Sequence, residues 1–288
     1  MNTTTYRLTD SDIDRLIDED IPYGDLTTAL LSISAMPGEI VFTTREATVV
    51  CCSEEAARIL EKCGAAVNTV LESGTEVDAG AVILSASGSA ASLHAGWKVA
   101  LNLLEYASGI ATRTRRIVNR ATAINSAIRL VTTRKSFPGT KKIALKAIMA
   151  GGAIPHRIGL SDSILIFRQH ALFLGGPDQV AEAIGSLKAN APEHKVVAEA
   201  ECEEEALRLA AAGAEIIQLD KLDPARLGRL VQSLRASYPG IKLSAAGGIN
   251  AENAAEYAAT GVDLLVLSSP YFGKPADIAV SLLPAMEQ

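Results

Sequence analysis

Six short polar or glycine-rich clusters carry most of the chemistry this sequence could perform. They are Thr132-Thr133-Arg134-Lys135, Arg168-Gln169-His170, Glu199 with Glu201, Asp220-Lys221, Gly247-Gly248 and Ser268-Ser269. A second basic pair, His156-Arg157, follows Gly151-Gly152. Arginine offers a planar fork to phosphate or carboxylate and lysine a point charge, so Arg134, Lys135, His156 and Arg157 suit an anionic ligand. Gly247-Gly248, ahead of a helix expected from Asn250, would leave backbone N–H groups free for a phosphate. Glu199 and Asp220 suit Mg²⁺ held partly through water, or the stabilisation of a cationic sugar transition state. Glu201 shares the face of Glu199 if the strand continues that far. The plainer alternative pairs these acids with Lys195 or Lys221. His94, His170 and His194 have no metal spacing. The chemistry implied is the handling of a phosphorylated small molecule.

Those clusters need elements to bring them together. Each of the six ends an apolar run: Ile128–Val131, Ile164–Phe167, Val196–Ala200, Ile216–Leu219, Ile241–Ala245 and Leu264–Leu267. Between them lie helix-period segments, Lys141–Ala150, Gln179–Lys188, Glu204–Ala211, Pro224–Ser237 and Ala251–Ala259. Strands apolar on both faces that alternate with helices mean a parallel sheet. Six such units predict a barrel or most of one, whose strand ends gather at one rim. An open doubly wound sheet is less suited, because no first strand carries a dinucleotide glycine fingerprint. The first ninety residues read differently. Thr9 or Ser11 caps a short helix to Glu19, Glu39–Cys52 alternates like strand, Ser53 caps a helix to Cys63, and Val67–Ser87 holds two or three strands with turns at Gly74 and Gly80. His94–Asn125 is one long helical stretch, in which Gly109 marks a close approach of another backbone.

Composition excludes several classes. With 27 Lys plus Arg against 33 Asp plus Glu, a net charge of −6 and no basic block, general nucleic-acid binding is excluded. The 48% apolar share fills a core, so disorder is excluded as the overall state. The acidic start predicts no signal peptide, and the longest charge-free stretch, Ala79–Trp97, is too rich in Ser and Gly for a membrane span. Cys51, Cys52, Cys63 and Cys202 form no CxxC pair, which predicts small buried hydrophobes in a reducing cytoplasm.

Several segments resemble one family in order through nearly the whole chain. They are Asp20-Ile-Pro-Tyr-Gly-Asp-Leu-Thr-Thr28, Ala100-Leu-Asn-Leu-Leu104 with Ser108-Gly-Ile-Ala-Thr112, and Thr133-Arg-Lys-Ser-Phe-Pro-Gly139. Gly151-Gly-Ala-Ile-Pro-His-Arg-Ile-Gly-Leu160, Leu219-Asp220 and Gly247-Gly-Ile-Asn250 with Gly261-Val-Asp263 continue the series. Together they are similar to quinolinate phosphoribosyltransferase (nicotinate-nucleotide pyrophosphorylase). The resemblance implies an α/β fold with an N-terminal α/β sandwich and linking helix over 1–112. It further implies a parallel α/β barrel of fewer than eight strands over 113–270, and a C-terminal helix over 271–288 packing back on the N-terminal domain. It implies a homodimer whose active site is completed by the other subunit. The reaction implied is displacement of pyrophosphate from 5-phosphoribosyl 1-pyrophosphate (PRPP) by a nitrogen base, with Mg²⁺. By position, Arg134, Lys135, His156 and Arg157 would contact the acid substrate and the phosphates. Glu199 and Asp220 would hold Mg²⁺ or the ribose, and Gly247 and Gly248 the 5-phosphate.

Departures from the family pattern bear on the base. The family's Glu-Arg before the Ala-Leu-Asn helix is Trp97-Lys98, its Asp before Thr-Arg-Lys is Thr132, and its Asn before His-Arg is Pro155. Its Leu-Ile-Lys-Asp-Asn-His is Leu165-Ile-Phe-Arg-Gln-His170, so the lysine that meets the substrate's carboxylates there is Phe167. The Gly-Ala of its final phosphate loop is Ser268-Ser269. These substitutions, with Tyr23, Ser136-Phe-Pro-Gly139 and Gln218-Leu-Asp-Lys221, resemble the subgroup called ModD, found with molybdate-transport genes. The leading expectation is a phosphoribosyltransferase acting on a less acidic base, its ring stacked on Phe167. The alternatives are the carboxylating pyrophosphorylase itself, with Lys98 and Arg168 supplying charge from new positions, and a non-catalytic oxyanion or nucleotide binder.

Overall fold

The computed structural model describes residues 6–285. They fall into two compact units. One comprises the chain up to Arg115 with Phe137–Gly152 and the segment from Pro270 onward; the other comprises Arg116–Ser136 and Ala153–Ser269.

The first unit opens with α1 (Asp10–Asp20) and α2 (Leu26–Leu30), followed by β1 (Pro37–Thr44), β2 (Thr48–Val49), α3 (Ser53–Lys62), β3 (Ala66–Val70), β4 (Glu76–Val77) and β5 (Val82–Ser89). Thr9 caps α1 as expected: its hydroxyl accepts from Asp12 N, and the Asp12 carboxylate accepts from Thr9 N in return. β1 buries Gly38, Ile40, Phe42 and Thr44 on one face, the alternation a half-covered strand requires. Ser53 does not cap α3. Its hydroxyl donates to the Leu71 carbonyl, and left-handed Cys52, at φ 61°, sets the helix start instead. The long helix α4 runs Ala90–Ile124. A Cβ on Gly109 would meet Pro275 Cα and Ala276 N at 2.9 Å, so the expected close backbone is the segment just before the last strand.

A larger correction concerns the chain's end. The expected C-terminal helix is a strand, Ile278–Pro284, antiparallel to β1 with Thr44 opposite Ile278 and Gly38 opposite Pro284. Its Ile-Ala-Val-Ser-Leu-Leu run has β-branched and alternating character, and the open edge of β1 supplies its hydrogen bonds. The sheet order places this strand beside β1, then β5 and β3. The helix α5 (Lys141–Ala150) also clusters with this unit, although the expected barrel domain included it. On α5, Lys146 is 5% exposed and donates to Glu54 at 2.8 Å and to Glu55, itself 1% exposed, at 2.6 Å.

The second unit holds seven parallel strands: β6 (Arg129–Thr132), β7 (Ile154–Pro155), β8 (Ile164–Ile166), β9 (Val196–Ala200), β10 (Ile216–Asp220), β11 (Lys242–Ala246) and β12 (Leu264–Leu267). Their order is β7-β6-β12-β11-β10-β9-β8, with every paired ladder parallel. The two end strands, β7 and β8, do not pair with each other, so this is an incomplete barrel with fewer than eight strands, as expected. Its helices are α6 (Arg168–Leu174), α7 (Pro177–Asn190), α8 (Glu203–Ala211), α9 (Pro224–Ser237) and α10 (Ala254–Ala259), and the chain ends in β13, the strand at 278–284. The two-residue β7 and the short α6 are too brief to leave a periodic signature. Among the described residues no helix is long and apolar enough to cross a membrane.

Candidate active site

The C-terminal ends of these strands surround one cavity of about 810 Å³. Ala246 and Val266 line it and belong to an apolar cluster with Val131, packed against Ile154 and Leu264. Ladder register then sets the polar wall. Gln218 on β10 lies directly opposite Glu199 on β9, and Asp220, two residues on, shares the face of Gln218. Gln218 Nε2 donates to Glu199 Oε2 at 2.9 Å. Gln218 is 7% exposed, and its Oε1 is the buried side-chain oxygen left without a partner among the described residues. The amide is therefore held by the carboxylate alone. Burial, and next the Asp220 carboxylate, push the Glu199 carboxyl above its ordinary range, while the Gln218 hydrogen bond opposes them.

Asp220 is covered from its own loop by Lys221, whose Nζ lies 3.1 Å from Asp220 Oδ2. Lys221 has φ 55°, and its N–H donates to the Ala246 carbonyl at 2.8 Å. Across from it Gly247 has φ 95°, and a Cβ there would meet Lys221 Cγ at 2.7 Å and Lys221 N at 3.0 Å. Only glycine fits, because both the backbone angle and the space exclude a side chain. Gly248 continues at φ 71°. The helix beyond starts at Ala254, later than expected, and has six residues. The Gly247–Asn250 loop is instead braced by Asn253, which accepts from Asn250 N at 2.9 Å and donates to the Gly248 carbonyl at 3.1 Å. Ser269 Oγ ties the same loop by donating to the Ile249 carbonyl at 2.8 Å.

The facing wall is basic. Arg134 and Lys135 follow β6, and His156 and Arg157 follow β7, where His156 N donates to the Thr132 carbonyl at 3.0 Å. Arg157 is 8% exposed. Burial, and then the charge of Arg134, lower its guanidinium from its ordinary value. Burial, followed by the Arg157 charge, likewise pushes the His156 imidazole down, which favours its neutral form.

Eleven expected site residues share this one lining: Arg134, Lys135, His156, Arg157, Phe167, Glu199, Asp220, Gly247, Gly248, Ser268 and Ser269. Two stand elsewhere. Lys98 is on α4, in the other unit, with Nζ 4.9 Å from the ring centroid of Trp97. Arg168 opens α6 and lines an adjoining, smaller chamber of about 310 Å³. Phe167 and Glu199 belong to both hollows, and Phe167 meets the edge of His170 with ring centroids 4.3 Å apart. Gln218 was not expected to act. Its signal was available as a lone polar side chain inside an apolar run, two residues before an acid. Among the described residues no cluster of three or more His, Cys, Asp or Glu could hold a metal ion. The pair Glu199 and Asp220 fits Mg²⁺ only with outside oxygens, such as phosphate and water, completing the shell.

Comparison with known proteins gives a consistent picture. The family model for the quinolinate phosphoribosyl transferase C-terminal domain matches residues 110–281, and that for the N-terminal domain matches residues 25–108. A Rhodobacter capsulatus protein named "Putative pyrophosphorylase ModD" is 46% identical over 250 residues, covering 87% of this chain and 96% of its own length. The nicotinate-nucleotide pyrophosphorylase (carboxylating) of Mycobacterium leprae is 32% identical over 266 residues, covering 89% of this chain and 90% of its own. Among solved structures, the nicotinate-nucleotide pyrophosphorylase of Francisella tularensis superposes with a TM-score of 0.87 at 25% identity, covering 96% of this chain and 98% of its own.

Proposed function

The chain belongs to the quinolinate phosphoribosyl transferase family and is a phosphoribosyltransferase; on that premise we propose that it moves the 5-phosphoribosyl group of PRPP to a nitrogen base other than quinolinate. One observation carries this reading: a basic wall, a glycine loop and a pair of acids line the same cavity. A substrate with phosphate at one end of a ribose and pyrophosphate at the other matches that division.

In this reading the Gly247–Asn250 loop, with Ser268 and Ser269, receives the 5-phosphate, and Arg134, Lys135 and Arg157 receive the pyrophosphate and any acid group of the base. Neutral His156 donates or accepts a hydrogen bond without adding charge. The C1–O bond to pyrophosphate breaks, and its electron pair leaves with pyrophosphate. The ring nitrogen of the base forms the new bond to C1; an azole loses its N–H proton to solvent. Positive charge builds on the ribose between these events, and the carboxylates of Glu199 and Asp220 face it. Mg²⁺, held by those two acids together with phosphate oxygens and water, would supply further charge neutralisation for the departing pyrophosphate. Phe167 presents a ring where a dicarboxylate would need a cation, which favours a less acidic base. We extend the proposal to a cytoplasmic homodimer whose second subunit completes each site, to be checked by sedimentation.

Pyrophosphate release from PRPP and Mg²⁺ is the test, with a panel of azines and azoles and with quinolinate beside them. Release with a member of the panel and not with quinolinate is expected. Release with quinolinate alone refutes the choice of base. Tight molybdate binding without PRPP binding, read by calorimetry, refutes transfer altogether.

A further inference from the structure

The chamber next to the cavity that holds the basic wall and the glycine loop bears on what kind of base is accepted. The two hollows share Phe167 and Glu199, so a ring held at Phe167 for attack on the ribose stands at the chamber's mouth. The inner wall is aliphatic: Ile166, Val180 and Leu209 are 7%, 4% and 5% exposed. Leu172, on α6, is 68% exposed and lines the outer side.

Most of the charged groups around the chamber have close partners, Arg168 being the looser one. Arg208 is bonded to Asp178 at 2.6 Å and lies 3.7 Å from Glu204. Glu205 accepts from Glu201 N at 2.9 Å, Arg168 faces Glu201 at 4.0 Å, and Glu199 holds the Gln218 amide. A carboxylate pressed onto the inner wall of Ile166, Val180 and Leu209 would lose its water against aliphatic side chains, an uncompensated cost. An uncharged apolar group loses nothing and gains burial.

We propose that the accepting base carries an uncharged apolar extension, a fused ring or alkyl group, that passes Phe167 and fills this chamber. This rests on the phosphoribosyl-transfer reading above and narrows it to substituted heteroaromatic bases. About 310 Å³ is ample for one fused ring. Burial of each methylene-sized unit is worth about fourfold in binding, so a fused benzo ring should improve kcat/KM by roughly tenfold or more.

The experiment compares imidazole with benzimidazole as acceptors, with PRPP and Mg²⁺, by pyrophosphate release. Benzimidazole is expected to exceed imidazole by about tenfold or more in kcat/KM. In Leu172→Trp, and separately in Ala171→Phe, the new ring occupies the chamber and the ratio should fall toward one. Both positions lie on the outer helix α6, so the variants should fold. Equal use of the two bases by the wild type, or a ratio untouched by both variants, overturns the proposal. If neither base releases pyrophosphate, the transfer reading fails for these acceptors and the chamber is judged by melting shift. A rise with benzimidazole but not imidazole, lost in Leu172→Trp, supports it; equal shifts overturn it.

Discussion

Replacing Gln218 with Met keeps the length of the side chain and removes both of its polar atoms. Two opposing effects follow. The donor to Glu199 is lost, and a hydrogen bond to a charged group contributes about 1.5–3 kcal/mol. Glu199 is only partly buried, so the lower end, about 1.5 kcal/mol, is the appropriate figure. The unpartnered Oε1 also disappears, and a buried acceptor without a partner costs about 1–3 kcal/mol. The global stability of Gln218→Met should therefore match the wild type within about 1 kcal/mol or exceed it. Activity should not be spared. Glu199 already sits above the ordinary carboxyl range because of burial and Asp220, and Gln218 is the side chain that opposes them. Losing that opposition moves the carboxyl further above its ordinary range. The sign follows from linkage. A carboxyl raised on folding binds its proton more tightly in the native state, so its stabilising share is present at low pH and lost as pH rises through the raised value. The ionised form needed at the ribose is correspondingly lost earlier on acidification. The assay pairs urea unfolding with the pH profile of kcat/KM for pyrophosphate release. The expected result is an acid limb moved to higher pH at unchanged stability. An unmoved acid limb together with a large loss of stability would refute the reasoning, making Gln218 a packing residue.

Other perturbations test other parts. Lys146→Met strands Glu55 and Glu54 without their cation and should cost about 3–5 kcal/mol in denaturant unfolding, whereas losses under about 1 kcal/mol would show that water reaches the cluster. Gly109→Ala drives a methyl into Pro275 and Ala276 and should cost about 1–3 kcal/mol, read as a lowered melting temperature. His156, pushed down by burial and then by Arg157, should stay neutral to lower pH than a free histidine in an NMR titration; the stability linked to it is present above the ordinary histidine range and lost as pH falls through its lowered value. Phe167→Lys places a cation at the shared wall and should strengthen quinolinate binding in calorimetry; no change would mean that acid recognition is decided elsewhere.

Much of the barrel was legible because both faces of its strands are covered. A run such as Val196–Ala200 must then be apolar throughout, and only its last residues turn toward solvent or ligand. The site followed from the same rule, since a polar side chain at the end of such a run has only the rim to occupy. Gln218 escaped because a single polar residue inside a strand resembles a tolerated core amide until register puts it opposite Glu199. Lys98 lies on α4 in the first unit, and a helix position fixes neither distance nor direction to a rim in another part of the chain. The helix expected over 271–288 came with the resemblance and not from a period in the residues, since a short apolar run such as Ile278–Pro284 satisfies either period. What decided it was the vacant edge of β1, which no local window contains.

That terminal strand has a consequence for the order of synthesis. The ribosome releases β1 early, yet the neighbour that covers its outer side follows more than two hundred residues later. At about 5–20 residues per second, the wait is on the order of ten to fifty seconds. Arg116–Ser136 and Ala153–Ser269, the second compact unit, emerge in that interval, while the nascent amino-terminal sheet stands with one ladder unfilled. Chains stalled or clipped before Ile278 would keep that ladder open for good, and such truncated products should be the ones that associate with each other or are captured by holdase chaperones.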